Sequence, residues 1–296
     1  MATAAQIEIK PGRLFIGGKW VDSSSSKVFP TINPATGEVL TQLADAYKRD
    51  ADAAVQAASR AFRDGPWTEM SAADRARVLW KIGDLIDKYN EELGTLETLD
   101  NGKPIFESRQ VDLPMAAEVF RYYAGWATKI HGETLPVRGA FLNYTLREPV
   151  GVVAAIVPWN FPLLLASWKV APALATGNTV VLKPSSETPT IAAKFAEVLL
   201  EAGFPPQSFS LLVGSGSVIG DLLVEHPKTR FIAFTGSKEV GLRINELAAK
   251  PRKGQIWIKR VIAEMGGKDA IIVDREADLD AAVKNVVWSA FGYQGQ

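Results

Sequence analysis

The sequence predicts an α/β protein built on a doubly wound parallel sheet. From residue 152 onward, short apolar runs alternate with segments of helical periodicity, which is the pattern of strands joined by crossover helices. The chain has 296 residues, a length typical of about two domains. Its composition, 47% apolar and 22% charged, is ordinary for a globular protein and excludes collagen-like and coiled-coil classes.

The charge balance and the residue counts exclude several further classes. Lys and Arg number 33 and so do Asp and Glu, so the chain lacks the basic surface expected of a protein that binds nucleic acid or an acidic membrane. With no Cys and two His, these residues offer no disulfide, no Cys-ligated metal and no cysteine nucleophile. We expect no metal site.

Neither a signal peptide nor a membrane span is expected. Residues 1–10 lack a sustained apolar core. The stretch 149–168 is uncharged and long enough to cross a bilayer, but Pro158, Asn160 and Pro162 interrupt it. We therefore predict a strand, a turn and a buried helix there, and a cytoplasmic protein.

Helices and one half-exposed strand account for the first half of the chain. Residues 48–63 place Val55 on an apolar helical face. A longer helix is capped by Ser71 and stopped by the glycine and proline of DNGKP (100–104), and a third begins near Pro114. Residues 141–148 alternate between apolar and polar side chains, as a half-exposed strand does.

The second half predicts strands and helices in alternation. The strands are 152–157, 179–182, 209–213, 231–234, 256–264 and 270–273, and the helices are 162–175, 190–202, 217–225, 238–249 and one from Asp278. Ligands bind such sheets at the carboxyl ends of the strands, so functional residues are expected there.

Two of these strand ends carry side chains suited to catalysis. Prolines on both sides of Asn160 impose an irregular backbone, which suits an amide that donates to a developing oxyanion. A proline-rich turn with aromatic packing is the alternative. Glu264 ends another strand beside two glycines, where a buried carboxylate suits a general base. A helix cap or a salt-bridged surface glutamate is the alternative.

Three other loops carry a lysine or glycines of the kind that hold a nucleotide. A strand enters the turn Gly236-Ser237 and then a helix, where free N–H groups and the helix dipole favour a phosphate. A second glycine turn lies at 214–217, with Gly220 close behind, and Lys183 follows the strand 179–182. An ordinary strand-to-helix turn and a solvated lysine are the alternatives.

Taken together and in this order, the motifs resemble the aldehyde dehydrogenase superfamily along essentially the whole chain. The matching stretches are FIGGKW (15–20), INPATGE (32–38), DNGKP (100–104), RYYAGWATKIHGETLP (121–136), EPVGVVAAIVPWNFPLLLASWKVAPALATGNTVVLKPSSETP (148–189), FTGSKEVG (234–241), EMGGKDAIIVD (264–274) and FGYQGQ (291–296). The resemblance implies a Rossmann-like sheet of the aldehyde dehydrogenase type. It also implies NAD(P)-dependent oxidation of an aldehyde to a carboxylic acid through a cysteine thioester.

The resemblance assigns roles to individual residues. It implies that Asn160 is the side-chain half of an oxyanion hole, that Glu264 activates the water that releases the acid, and that Lys169 assists them. The implied cofactor contacts are Ile156, Trp159, Lys183, Ser186, Gly216, Gly220, Phe234, Gly236, Ser237 and Met265.

Three features depart from the family pattern. The family's nucleophilic cysteine lies two positions beyond the glutamine that ends FGYQGQ, hence beyond Gln296, so we expect this chain alone to be inactive. A non-catalytic nucleotide-binding fragment is the alternative. Ser186 stands where many NAD-preferring members carry a glutamate, so NAD is expected and NADP is admissible. Residues 254–296 resemble the 1-pyrroline-5-carboxylate dehydrogenases, whereas the earlier residues resemble broad-specificity enzymes, so the sequence does not specify the aldehyde.

The resemblance also implies a domain plan. Residues 1–131 and 155–266 would form the cofactor-binding domain, 132–154 a strand-rich arm for assembly into a homodimer or homotetramer, and 267–296 the start of a catalytic domain. A serine hydrolase fits poorly, since neither histidine lies near a nucleophile-elbow motif.

Overall fold

The fold is seen in a computed structural model that describes Ile9 and residues 12–293. The strands are β1 (Leu14–Ile16), β2 (Lys19–Val21), β3 (Val28–Ile32), β4 (Val39–Ala44), β5 (Thr134–Leu135), β6 (Asn143–Tyr144), β7 (Val152–Ile156), β8 (Thr179–Lys183), β9 (Phe209–Leu211), β10 (Thr229–Thr235) and β11 (Arg260–Glu264). The expected absence of a signal peptide concerns residues 1–10, most of which lie outside the described residues. The last three residues of FGYQGQ also lie outside them.

Eleven α-helices connect these strands within the described part of the chain. They are α1 (Lys48–Asp64), α2 (Pro66–Glu69), α3 (Ala72–Lys88), α4 (Asn90–Asn101), α5 (Ile105–Glu107), α6 (Leu113–Ala127), α7 (Pro162–Ala175), α8 (Thr190–Glu201), α9 (Asp221–Glu225), α10 (Lys238–Ala249) and α11 (Leu279–Phe291). Short π-helical turns occupy 108–112 and 216–220. In the described residues, no helix combines the length and the apolar character needed to cross a membrane.

The main sheet has seven strands in the order β11-β10-β7-β8-β9-β1-β2. The five strands from β11 to β9 run parallel, and β1 and β2 add an antiparallel hairpin beside β9. All residues of β7 and β8 are buried, as in a parallel strand covered by helices on both faces. The predicted α/β doubly wound class is confirmed.

Several predicted elements are confirmed closely. Ser71 caps α3, since its hydroxyl accepts from the backbone N–H of Asp74 at 3.1 Å. Helices α7 and α10 have the predicted ends, and α11 begins directly after its cap, Asp278.

The edges of the fold differ from the predictions. The predicted strand 256–264 is paired only over β11, because β10 offers partners only from Phe231 onward. The apolar run 270–273 forms no strand, since no described segment pairs with it. Strand β9 stops at Leu211, and the alternating stretch 141–148 pairs only over β6.

The hairpin β1–β2 was not predicted. Its turn is Gly17-Gly18, and both glycines have positive φ, 59° and 85°, as the tight turns that join antiparallel strands require. The predicted domain boundary at 154/155 falls inside β7, a continuous strand that pairs with β8 and β10.

Candidate functional site

The carboxyl ends of four parallel strands lie in register at one edge of the sheet. Ile156 of β7 pairs with Lys183 of β8 on one side and with Phe234 of β10 on the other. Thr235 then pairs with Glu264 of β11. Neighbouring strands lie about 4.8 Å apart, so the backbone positions of Lys183 and Glu264 are separated by about 14 Å. Predicted cofactor and catalytic residues thus share one edge.

Lys183 is a buried cation at the end of β8. Its side chain is 3% exposed, and its Nζ donates to the backbone carbonyl of Pro184 at 2.8 Å. Burial lowers the pKa of Lys183 to about 8. A Cβ on Gly216 would lie 4.0 Å from this Nζ, so the glycine leaves open space beside the ammonium. Ser186, three positions further on, is half-buried.

The turn after β10 is shaped by close contacts. A Cβ on Gly236 would lie 2.5 Å from the ring of Phe234, so a side chain at this position would displace the ring. The backbone N–H of Gly236 donates to the carbonyl of Glu264 at 3.0 Å. Ser237 caps α10 by accepting from the backbone N–H of Val240. The helix start therefore faces the loop that follows β10.

Met265 and Gly220 differ in how closely they are surrounded. A Cβ on Gly241 would lie 2.6 Å from the sulfur of Met265, so Met265 packs against the first turns of α10. By contrast, no atom of the described residues lies within 4 Å of a Cβ built on Gly220, so none of their contacts requires glycine there.

The loop between β7 and α7 is tied to distant residues through its backbone. The carbonyl of Trp159 accepts from Asn101 Nδ2 at 2.6 Å and from Thr188 Oγ1 at 3.3 Å. The carbonyl of Asn160 accepts from Lys103 Nζ at 2.7 Å. The side chain of Trp159 is 47% exposed, whereas Asn160 is half-buried.

A cavity of about 1030 Å³ is lined by residues of β7, β10, β11 and α7. It reaches the carboxyl ends of β10 and β11, where Thr235, Glu264 and Met265 contribute to its wall together with Lys169 of α7. Lys169 is 8% exposed, and burial lowers its pKa while the negative charge of Glu264 opposes that shift. Glu264 itself is exposed, so the buried environment considered from the sequence is not observed. The structure thus brings Lys169, Glu264 and Met265 to one cavity. Within the described residues, no three His, Asp or Glu side chains are grouped as a metal site.

Three residues of the DNGKP segment reach this region without having been assigned a role from the sequence. Asp100 accepts from the backbone N–H and the hydroxyl of Thr190, and Asn101 and Lys103 hold the loop carbonyls described above. The segment matched the family pattern, but these contacts join residues that are more than fifty positions apart. A local reading of the sequence does not detect such contacts.

The model of the aldehyde dehydrogenase family matches residues 20–296. The chain belongs to the aldehyde dehydrogenase family. Among its relatives, the mitochondrial aldehyde dehydrogenase of Rattus norvegicus is 47% identical over 292 residues, which cover 98% of this chain and 55% of the relative. Retinal dehydrogenase 2 of Homo sapiens is 46% identical over 291 residues, again covering 98% of this chain and 55% of the relative.

Solved structures of the family share the fold. The aldehyde dehydrogenase of Bacillus cereus, in its NAD+ complex, superposes with a TM-score of 0.93 at 44% identity and covers 97% of this chain and 57% of that one. The chain thus spans little more than half the length of the relatives it matches. It contains the sheet and the loops described above, and the family assignment confirms the resemblance drawn from the motifs.

Proposed function

We propose that these residues bind the cofactor and stabilise the oxyanion in an NAD-dependent oxidation of an aldehyde to a carboxylic acid. The observation that carries the proposal is the alignment of Lys183, Phe234 and Glu264 along one edge of the sheet, beside a cavity. Ligands bind parallel sheets at this edge, so a dinucleotide and an aldehyde would be adjacent there.

The residues fit NAD on two structural grounds. The ammonium of Lys183 is buried and has open space at Gly216, so it can donate to ribose hydroxyls. The N-terminus of α10, a helix of 12 residues, follows a turn in which the ring of Phe234 lies close to Gly236, so that a side chain there would displace the ring. Such a helix start suits the negative pyrophosphate. When bound, NAD supplies a hydride acceptor.

The aldehyde side would use three residues of this chain. The amide of Asn160 would donate to the carbonyl oxygen as negative charge develops on it, which lowers the barrier because the donor is already oriented. Glu264, exposed to the cavity, would take the proton of the attacking water. Lys169, on the same wall and in electrostatic contact with Glu264, would stabilise its carboxylate.

Several finer features are proposed with this function. Ser186 carries no negative charge to repel a 2′-phosphate, which supports acceptance of NADP beside NAD. The acyl-transfer step needs a thiol, and these 296 residues contain none, so we propose that they do not complete the reaction alone. We also propose a homodimer or homotetramer assembled through 132–154, in which Phe141 and Leu142 are 77% and 78% exposed. A cytoplasmic location completes the proposal.

The proposal covers aldehydes as a class and does not name a particular substrate. Retinal dehydrogenase 2 and the mitochondrial aldehyde dehydrogenase are almost equally similar to this chain, at 46% and 47% sequence identity. The likeness of residues 254–296 to 1-pyrroline-5-carboxylate dehydrogenases stays a prediction, and glutamate semialdehyde belongs in the substrate panel.

The proposal is tested by titrating NAD into the protein and by following NADH absorbance when aldehydes are added. Wild type is compared with Lys183→Met, which removes the buried cation, and with Lys88→Met, which removes an exposed one. We expect Lys183→Met to weaken NAD binding about tenfold or more, since hydrogen bonds to charged groups contribute about 1.5–3 kcal/mol. Lys88→Met should bind NAD as wild type does.

The outcomes separate the proposed function from its alternative. Aldehyde-dependent NADH formation by the protein as its gene encodes it, lost on thiol alkylation, supports the dehydrogenase. NAD binding that depends on Lys183 without any such NADH formation favours a nucleotide-binding module. Absence of NAD binding contradicts both.

A further inference from the structure

The end of helix α4 contacts two loops of the candidate site at once. Asp100 binds the N–H and hydroxyl of Thr190 on the segment that follows Lys183. One residue later, Asn101 binds the carbonyl of Trp159. Lys103, just past the helix end, binds the carbonyl of Asn160. Three polar side chains within four positions thus contact the loop 158–161, which carries Asn160, and the segment that follows Lys183.

A left-handed glycine makes this arrangement possible. Gly102 ends α4 with φ of +85°, and a Cβ there would lie 2.7 Å from the ring of Pro34. The chain therefore reverses sharply after Asn101, and Lys103 turns back toward the loop that Asn101 also contacts.

Lys103 is held inside the protein by two carboxyl groups. Its side chain is 1% exposed, and its Nζ pairs with Asp112 and lies 3.3 Å from Glu97 Oε1. Both carboxyl side chains are fully buried. The ammonium also lies 4.4 Å from the ring centroid of Phe161, the residue that precedes α7. These contacts of the ammonium thus go to two carboxyl groups and to the loop 158–161.

Lys103 and Asp112 form a buried ion pair, and burial raises the pKa of Glu97, which favours the neutral form of that carboxyl. Taking such a pair out of water is costly, and well-packed apolar side chains of similar volume often stabilise a fold as well or better. A buried pair is therefore weak evidence for a purely stabilising role. Besides the carboxyl groups, Lys103 binds a backbone group, the carbonyl of Asn160.

We propose that Lys103, anchored on Asp112, is a positioning residue that fixes the peptide of Asn160 and so aims the amide of that side chain at the substrate oxygen. Asn101 donates to the carbonyl of Trp159, the residue before Asn160, and so holds the same loop at a second point. The inference rests on the proposed function for its catalytic consequence. The fixing of the loop is a property of these residues alone.

The experiment is a double-mutant cycle on the protein as its gene encodes it. Lys103→Met/Asp112→Asn removes both charges together, so that no lone ion is left buried, and is crossed with Asn160→Ala. Displacing a catalytic group by about 1 Å costs up to about 10²-fold in rate. We expect the paired variant to lower kcat about 10- to 100-fold, with the KM for NAD changed less than about twofold. In the Asn160→Ala background it should change kcat less than about twofold.

Hydrogen exchange provides a readout that does not depend on activity. In the paired variant the amides of residues 159–161 should exchange roughly tenfold faster, while those of β8 keep their rates. Lys88→Met/Glu201→Gln is the matched control, because Lys88 and Glu201 form an exposed ion pair at 2.8 Å, also between distant segments. It should change neither kcat nor the exchange of residues 159–161.

The outcomes distinguish the inference from the proposed function. The positioning role is overturned if the paired variant lowers kcat as strongly in the Asn160→Ala background as in wild type. It is also overturned if amide exchange at residues 159–161 does not change in the paired variant. If wild type forms no NADH from any aldehyde, the proposed function fails, and the exchange data still decide whether Lys103 fixes the loop. A variant that does not fold is replaced by Asn101→Ala, for which we expect the same local exchange and the same non-additivity.

Discussion

Helices α7 and α11 are similar in sequence character but differ in burial. Twelve of the 14 residues of α7 are buried, whereas none of the 13 residues of α11 is buried, although that helix carries Val283, Trp288 and Phe291. The strands beside them follow the same division, since β7 is buried throughout and β11 alternates between exposed and half-buried positions. Apolar composition therefore predicts a helix, but its burial depends on which neighbours surround it.

The two regions also divide the candidate site. The part that we propose to bind the cofactor, with Lys183 and the loop 158–161, is built on buried strands and fixed by buried polar contacts. Glu264 lies on the edge strand β11, exposed to a cavity. We expect changes in the first region to affect the free energy of unfolding and ligand geometry together, and changes in the second to act locally.

The largest expected difference concerns a matched pair of leucines. Leu174 of α7 is 0% exposed and Leu279 of α11 is 67% exposed. Leu174→Ala leaves a cavity in a packed core and should lower the free energy of unfolding by about 2–5 kcal/mol. Leu279→Ala should change it by less than about 0.5 kcal/mol. Urea denaturation followed by far-UV circular dichroism measures both, and similar losses would show that α11 is buried in solution.

The second expected difference separates two catalytic steps. Asn160→Ala should lower kcat by about 10²–10³-fold, or about 2.7–4 kcal/mol, because a preorganised oxyanion donor is lost. Glu264→Gln should slow release of the acid while a burst of NADH in the first turnover remains. Under the proposed function, rapid-mixing measurements of NADH absorbance distinguish the two. Steady turnover without any burst in Glu264→Gln would exclude Glu264 as the base.

The sequence predicted elements whose signals are local and missed contacts that are not. Helix α7 was predicted end to end because an early proline and Gly177 mark its limits. The run 270–273 looked like a strand but has no described partner, and strand formation depends on one. The hairpin at Gly17-Gly18 carried a usable signal, two glycines between apolar runs.

Residues of the candidate site were likewise predicted where their signal is local and missed where it is not. The strand-end residues Lys183, Gly236 and Glu264 were identified because each follows a recognisable strand. The proposed role of Lys103 was not identified from the sequence, because its partner Asn160 lies 57 positions away and only the tertiary structure brings them together. The exposed environment of Glu264 was not predictable either, because the number of strands beyond β11 is a property of the assembled sheet.

A third expected difference depends on pH and concerns the buried cation of the first region. Burial lowers the pKa of Lys183 from 10.5 to about 8. Between those values the unfolded chain binds more protons than the folded one, so this group's contribution to the free energy of unfolding rises with pH. The slope is at most about 1.4 kcal/mol per pH unit. NAD affinity should fall over the same range as the ammonium is lost.

Lys183→Met removes the titrating group and provides the test. Denaturation and NAD titrations at several values between about pH 7 and about pH 10 should show the pH-dependent contribution in wild type and its absence in the variant. Parallel curves for the two proteins would mean that Lys183 is not the group responsible.

The smallest expected difference compares two helix caps. The hydroxyl of Ser71 accepts from Asp74 at the start of α3, a helix that buries Leu79, Ile82 and Ile86. The carboxylate of Asp278 accepts from Asp280 and Ala281 at the start of α11, which buries nothing. Because α3 unfolds with the core, Ser71→Ala should lower the global free energy of unfolding by about 1 kcal/mol.

Loss of the Asp278 cap should act differently, because a helix without buried residues can fray while the core stays folded. Asp278→Ala should leave the denaturation midpoint unchanged and raise amide exchange within α11 several-fold, whereas Asp278→Ser, which keeps an acceptor, should restore slow exchange. A shift of the midpoint equal to that of Ser71→Ala would mean that α11 unfolds cooperatively with the sheet. In that case the division into a packed region and a locally stable one would not hold in solution.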